Sequence, residues 1–304
     1  MAALVDPVPQ RAAEVARAYG ISPRMTSRIA DLAGHVDGAV IATPNHVHRS
    51  VALDCIDAGI GVLIEKPLAT SYDEGREIVE AAERTGVALA VGYCLRFRAD
   101  VVFLKELLDA GYFGRPMRFV HQAGSLGGWA PLSAYNLDRK TAGGGVLVVT
   151  ASHFLDRMLF FWGFPDGVAL RDDGFDGPEA NCTTLFRYSD KDLTGMGRYS
   201  KTAPLPFGMV LETDRGVVRV ADAEGAAIRF IEHRHPSLEQ VVRPRSAAPV
   251  DDDVFRLQIR DFVGACRERR APRVDGRQGL DSLRLIEALY AHRQPLAESW
   301  YEAP

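Results

Sequence analysis

Four apolar runs near the start of the chain end in polar or charged groups. These are Asp6-Pro7, Thr43-Pro44-Asn45-His46-Val47-His48, Glu65-Lys66-Pro67 and Gly92-Tyr93. Open α/β sheets bind ligands at the carboxyl ends of their strands, so such endings suit a cofactor crevice. A carboxylate at Asp6 can accept both hydroxyls of an adenosine ribose and repel a 2′-phosphate, which favours NAD over NADP. It can equally cap the turn at Pro7. Lys66 at a strand mouth can donate to a substrate oxygen and stabilise alkoxide charge. An ion pair with Glu65 is the plainer role, but adjacent strand residues point to opposite faces. His153 follows Gly143-Gly144-Gly145, where backbone can approach a ligand closely. Its imidazole can pass a proton near neutral pH, and it can equally be a packed helix histidine.

Other candidates carry less. His233 and His235 fall on one side of an expected strand, but no third ligand is nearby, so they read as exposed strand residues, not a metal site. His46 and His48 read as lining or capping groups. Cys94 has no sequence support as a nucleophile.

These residues need elements to hold them. Ala2–Val5, Gly38–Thr43, Gly61–Glu65 and Val87–Gly92 read as buried strands. Pro9–Tyr19, His46–Ala58 and a Ser71-capped segment to Arg84 read as helices between them, the last with a Ser-x-x-Glu capping box. Strands alternating with helices predict a doubly wound parallel sheet. From residue 115 the pattern changes. Met117–Gln122 reads as a strand and Gly143–Trp162 as a helix. Period-two runs follow at Cys182–Tyr188, Leu193–Ser200, Phe207–Thr213, Val217–Ala221 and Ala227–Ile231, with a hairpin turn at Asp214-Arg215-Gly216. Phe255–Arg269 and Leu280–Arg293 read as closing helices, and Arg243–Asp253 as a surface loop. The fold class is therefore α/β, an incomplete Rossmann-like sheet over 1–114, then an α+β unit with a large, mostly antiparallel sheet over 115–304.

Composition bounds the function. The chain has 304 residues, with 36 Lys+Arg against 40 Asp+Glu, a net charge of −4. Two units of this size suit ~150 residues per domain. Mild acidity argues against nucleic acid or an anionic membrane as partner. The most apolar stretch, Val146–Phe164, is interrupted by His153, Asp156 and Arg157 and argues against a membrane span. No basic segment precedes an apolar one at the N-terminus, as a signal peptide would need. The four cysteines (Cys55, Cys94, Cys182, Cys266) show no metal or redox spacing, which points to a reduced cytoplasmic protein.

Taken together these residues resemble the Gfo/Idh/MocA family of NAD(P)-dependent oxidoreductases. The matching pieces are Ile41-Ala42-Thr43-Pro44-Asn45-His46-Val47-His48, Glu65-Lys66-Pro67-Leu68-Ala69, Val91-Gly92-Tyr93 with Arg96-Phe97, and Gly143-Gly144-Gly145 followed by His153 and Asp156. Asp261-Phe262-Val263 to Ala288, with Pro272-Arg273-Val274-Asp275-Gly276, extends the resemblance over nearly the whole chain. It implies hydride transfer to or from a carbinol or carbonyl carbon of a sugar, cyclitol or related polyol. Lys66 and His153 would be catalytic, and Lys66, Tyr93, Tyr135 and His153 would meet substrate. Asp6, Thr43, Pro44, Asn45, His48, Glu65, Lys66 and Arg96 would meet the cofactor, NAD in preference to NADP. Copies would associate as a homodimer or homotetramer through the second sheet.

Two departures matter. Such proteins usually carry an aspartate four residues before the helix histidine, where this chain has Val149. An acid/base partner is typically worth ~10²–10⁴-fold, so His153 would work with less help, or Lys66 or Tyr135 would carry the proton, or the reaction differs. Second, such proteins open with a strand, a Gly-x-Gly-x-x-Gly turn and a helix that these 304 residues do not contain. The expectation is a sheet without its central strand. Either the chain start is clipped or misassigned, a remaining strand shifts into the slot, or a partner fills it. The departures keep open a cofactor-free lyase, cyclase or isomerase, or a non-catalytic subunit.

Overall fold

The computed structural model describes residues 1–127, 134–175, 177–223, 226–244 and 253–297. The first unit runs β1 (Ala3–Val5), α1 (Pro9–Ala18), β2 (Arg24–Thr26), β3 (Gly38–Ile41), α2 (His48–Asp57), β4 (Gly61–Ile64), α3 (Tyr72–Thr85), β5 (Leu89–Val91) and α4 (Ala99–Asp109). β3, β4 and β5 pair in parallel, and β1 pairs in parallel with β2 in a separate sheet. No strand shifts to join the two: β1 pairs with β2 and β3 with β4. Val5 on β1 and Val40 on β3 stay 39% and 51% exposed.

The capping of α3 differs in detail from the sequence pattern. The Ser71 hydroxyl accepts from the Glu74 amide, but the Glu74 carboxylate accepts from the amide and hydroxyl of Thr70 rather than from Ser71. The helix start is thereby locked directly behind the Glu65-Lys66-Pro67 turn.

The second unit contains β6 (Pro116–Gly124), α5 (Arg139–Ala142), α6 (Ser152–Trp162), β7 (Gly167–Asp172), β8 (Asn181–Tyr188), β9 (Leu193–Ser200), β10 (Leu205–Thr213), β11 (Gly216–Ala221), β12 (Ile228–Glu232), β13 (Glu239–Val242), α7 (Val254–Glu268), α8 (Gly276–Ala291) and β14 (Arg293–Pro295). Nine strands form one sheet in the order β13-β12-β11-β10-β6-β9-β8-β7-β14. It is antiparallel except for the β6–β9 and β7–β14 pairs. α6 lies on this sheet through Phe154, Leu155, Met158 and Trp162, with Trp162 stacked on Phe119 at 4.3 Å between ring centroids. By length and composition Arg139–Trp162 could cross a membrane, yet 72% of its most apolar window is buried in the protein.

Several expectations change. β2 and β14 have three residues each, too short to show a period. α4, β7 and β13 also lie outside the runs that the sequence marks. The helix expected over Gly143–Trp162 is broken: a wide π-type turn, Leu147–Ala151, precedes α6. His233 and His235 are not on a strand, because β12 ends at Glu232 and both lie in the turn beyond it. Among the described residues no group of three His, Cys, Asp or Glu could hold a metal ion. α7 and α8 fold back on the first unit, where Phe262 packs with Leu63 and Ala90, and Leu283 joins the core around Ile64 and Ile78.

Candidate active site

The site forms where the carboxyl ends of β3 and β4 meet the start of α6. β4 is buried along its whole length, which fixes where Lys66 emerges. The Lys66–Pro67 peptide bond is cis. The Lys66 ammonium donates to the Val149 carbonyl at 2.7 Å. A π-type turn departs from the regular helical ladder, which lets a carbonyl there serve an outside donor. The glycines make the turn possible. Gly143 has φ +84, and a Cβ on Gly145 would lie 2.1 Å from the Glu179 carbonyl oxygen. Glu179 holds the turn from beneath: one carboxylate oxygen accepts from the Gly145 and Leu147 amides, each at 3.0 Å, and from the Tyr290 hydroxyl at 2.9 Å.

His153 follows one turn later. Its Nδ1 is buried with no hydrogen-bond partner among the described residues. Burial first, and then the cations Lys66 and Arg157, push its pKa down to about 3, with Asp222 opposing them. The imidazole is therefore neutral at pH 7. Burial also lowers the pKa of Lys66; Glu65 raises it and Lys201 lowers it further. Lowering an ammonium toward neutrality suits it to proton transfer.

Asn45 joins the two units, its side-chain amide donating to the Ala142 carbonyl at 2.8 Å. Beside it the Thr43 hydroxyl is buried without a partner among the described residues. Pro44 opens the short 3₁₀ turn Asn45–Val47. Glu65 is half-buried, and burial raises its pKa. Asp6 turns one oxygen onto the Val8 amide at 2.7 Å, capping its own turn. Tyr135 lies in the 3₁₀ turn Ala134–Leu137, partly buried, and no contact to Lys66 or His153 places it in the site.

Three expected contacts are corrected. His48 does not line the crevice. It is 0% exposed, with Nδ1 2.9 Å from the Pro67 carbonyl and Nε2 2.9 Å from the Thr43 carbonyl. Tyr93 is 0% exposed and meets the edge of His153 at 6.0 Å between centroids, so it backs the imidazole and does not face substrate. Arg96 is 4% exposed and grips Asp156 with two nitrogens, each at 2.7 Å. Burial of the surrounding groups makes this pair a part of the core, because neither charge could stand there alone.

Sequence reasoning missed the Val149 carbonyl, since a backbone group carries no residue signature. It also missed Lys201 and the Arg157–Asp222 pair behind His153, where Arg157 donates to both Asp222 oxygens at 2.9 and 2.6 Å. Only the i, i+4 spacing of His153 and Arg157 hinted at that neighbour.

Comparison with known proteins places this architecture. Residues 1–93 match the oxidoreductase family model with an NAD-binding Rossmann fold, and residues 105–297 match the C-terminal α/β domain of the same family. The chain belongs to the Gfo/Idh/MocA oxidoreductase family. Among its relatives, this Gfo/Idh/MocA chain is 35% identical over 158 residues to 1,5-anhydro-D-fructose reductase of Ensifer adhaerens, covering 50% of this chain and 45% of that protein. It is 43% identical over 83 residues to inositol 2-dehydrogenase of Rhodococcus erythropolis, covering 27% of this chain and 24% of that one. The chain thus spans less than half the length of these curated relatives. Its fold superposes on the aldose-aldose oxidoreductase of Caulobacter crescentus crystallised with glycerol, with a TM-score of 0.84 and 23% identity, covering 96% of this chain and 89% of that one.

Proposed function

We propose that this chain transfers hydride between a nicotinamide cofactor and a carbinol or carbonyl carbon of a sugar, cyclitol or related polyol. The observation that carries the reading is the convergence of Lys66, held on the Val149 carbonyl, with the neutral imidazole of His153 one turn away. The family and the names of its relatives support it.

The residues fit the nicotinamide end of the cofactor. The orphaned Thr43 hydroxyl, Asn45 and Lys66 sit together at the ends of β3 and β4 and would hold it. Asp6 would take the adenosine ribose and select NAD over NADP. No described residues form a Gly-rich cradle for the phosphates. When bound, the cofactor supplies the hydride donor or acceptor.

The remaining steps belong to the chain. In the reducing direction a proton leaves Lys66 Nζ for the carbonyl oxygen, and in the oxidising direction the alcohol proton returns to it. Val149 takes one of the ammonium's three N–H groups, which fixes the direction of the other two. His153, neutral, accepts a hydrogen bond from the substrate hydroxyl and orients it.

Self-association would use the outer face of the large sheet, where Val120 pairs with Val210 and Val210 is 44% exposed. The unpaired thiols fit a reduced cytoplasmic setting.

Calorimetric titration with NAD(H) and NADP(H), followed by cofactor-linked turnover on a panel of keto-sugars and polyols, tests the reading. Binding of NAD(H) with turnover is expected. No binding and no cofactor-linked turnover would overturn it. Val149 favours one other reading, a cofactor-free lyase or isomerase, which predicts turnover with no nicotinamide present.

A further inference from the structure

We propose that Lys201 receives an anionic group of the substrate, a carboxylate or phosphate borne by the sugar, beside Lys66. This rests on the sugar-oxidoreductase reading and names the substrate class for that same site.

The placement is built from backbone. Lys201 directly follows β9, and its amide donates to the Ala180 carbonyl at 2.9 Å. The neighbouring Glu179 carbonyl accepts from the Val146 amide at 2.7 Å, and its carboxylate accepts from Gly145 and Leu147. Lys201 therefore sits across two residues of chain from the turn that presents Val149 to Lys66. It is a rigid position. Ser200 is buried, and its hydroxyl accepts from the Thr202 and Ala203 amides at 3.0 and 2.7 Å, which fixes the loop on both sides of Lys201.

The charges do not balance. Lys201 is half-buried, and its ammonium has no hydrogen-bond or ion-pair partner among the described residues. Burial lowers its pKa, and it acts on Lys66 as a like charge. Glu65 is the carboxylate that answers Lys66, and its Oε2 lies against Gly92, where a Cβ would come within 2.8 Å of it. Among the described residues no carboxylate answers Lys201. Half-burying an ammonium without a counter-charge costs free energy that an incoming anion recovers. A neutral polyol would leave that cost in place. One uncompensated cation beside the reacting centre therefore selects a substrate with an oxyanion at some distance from its reacting carbon.

The test uses the full chain and binding rather than turnover. D-Glucuronate and D-glucose 6-phosphate are titrated calorimetrically against D-glucose at low salt. At least one anion should bind tenfold or more tightly than glucose, and which one separates carboxylate from phosphate. The preference should vanish in Lys201→Gln and largely survive in Lys201→Arg. In the unmodified protein it should also shrink severalfold as ionic strength rises from about 0.02 to about 0.3 M, a readout that needs no variant to fold. Equal binding of glucose, binding of none of the three, or a preference unchanged in Lys201→Gln would overturn the proposal. Anion preference without any nicotinamide-linked turnover would instead overturn the oxidoreductase reading and leave the anion site standing.

Discussion

The Lys66 ammonium and the Val149 carbonyl lie 2.7 Å apart, across two units of the fold. At Val149 this chain offers Lys66 a backbone oxygen. Replacing Lys66 with Met keeps the length of the stem and removes the donor. Cofactor-linked kcat/KM should fall about 10²–10⁴-fold, with the melting temperature nearly unchanged, as steady-state kinetics and calorimetry would show.

Val149→Asp places a carboxylate one helical turn before His153 and beside Lys66. Burial, and after it two cations, hold His153 at a pKa of about 3; negative charge at position 149 opposes those cations, so the value should rise. NMR titration of the imidazole reads the shift. The same variant should raise kcat about tenfold if proton transfer limits the rate, and a pH–rate profile would show a new acidic limb.

His121 gives the folded protein a defined acid sensitivity. Burial holds its pKa at about 4 against the usual 6.5. As pH falls below 6.5 the unfolded chain takes up the proton first, so stability is lost on acidification. Linkage puts the loss near 2 kcal/mol between pH 7 and pH 5. Urea melts at the two pH values should show it, and His121→Gln should remove about 2 kcal/mol of the dependence while the share of the buried, neutral His153 remains.

His48 bridges the end of β3 to the turn that carries Lys66. A neutral imidazole can donate to only one of the two carbonyls it faces. His48→Ala leaves the Thr43 and Pro67 carbonyls without it and should cost about 1–3 kcal/mol. His48→Asn can still donate to one carbonyl and should restore part of the stability. Activity in both should fall through kcat more than through KM, because Lys66 rather than a binding contact is displaced.

Arg96 and Asp156 separate a structural role from a cofactor role. Arg96→Met leaves a buried carboxylate unpaired and should destabilise the fold by about 3–5 kcal/mol. Adding Asp156→Leu removes that charge and should recover most of the loss. A residue that bound cofactor would instead raise the KM for NAD in both variants alike, so kinetics on the pair decides.

Much of the first unit was legible because its elements are regular. Gly61–Ile64 is a continuous apolar run because both faces of β4 are covered, and the Ser71 cap stands at the helix start where its side chain is needed. Lys66 and His153 stand out in the sequence as candidates because a charged group after a buried strand, or a histidine after three glycines, suits a ligand-facing position. What the tertiary structure alone decided is which groups meet. Lys66 and Val149 are 83 residues apart, and Lys201 is further still from Lys66 in sequence. Their encounter depends on a π-type turn that helical periodicity does not encode. Exposure was decided there too. A histidine, a tyrosine and an arginine written beside a strand end look like ligand contacts, but His48, Tyr93 and Arg96 are buried by helices and strands distant in sequence. A motif names the side chain. Only packing sets whether it faces the cleft or the core, because burial is the sum of neighbours brought from the rest of the chain.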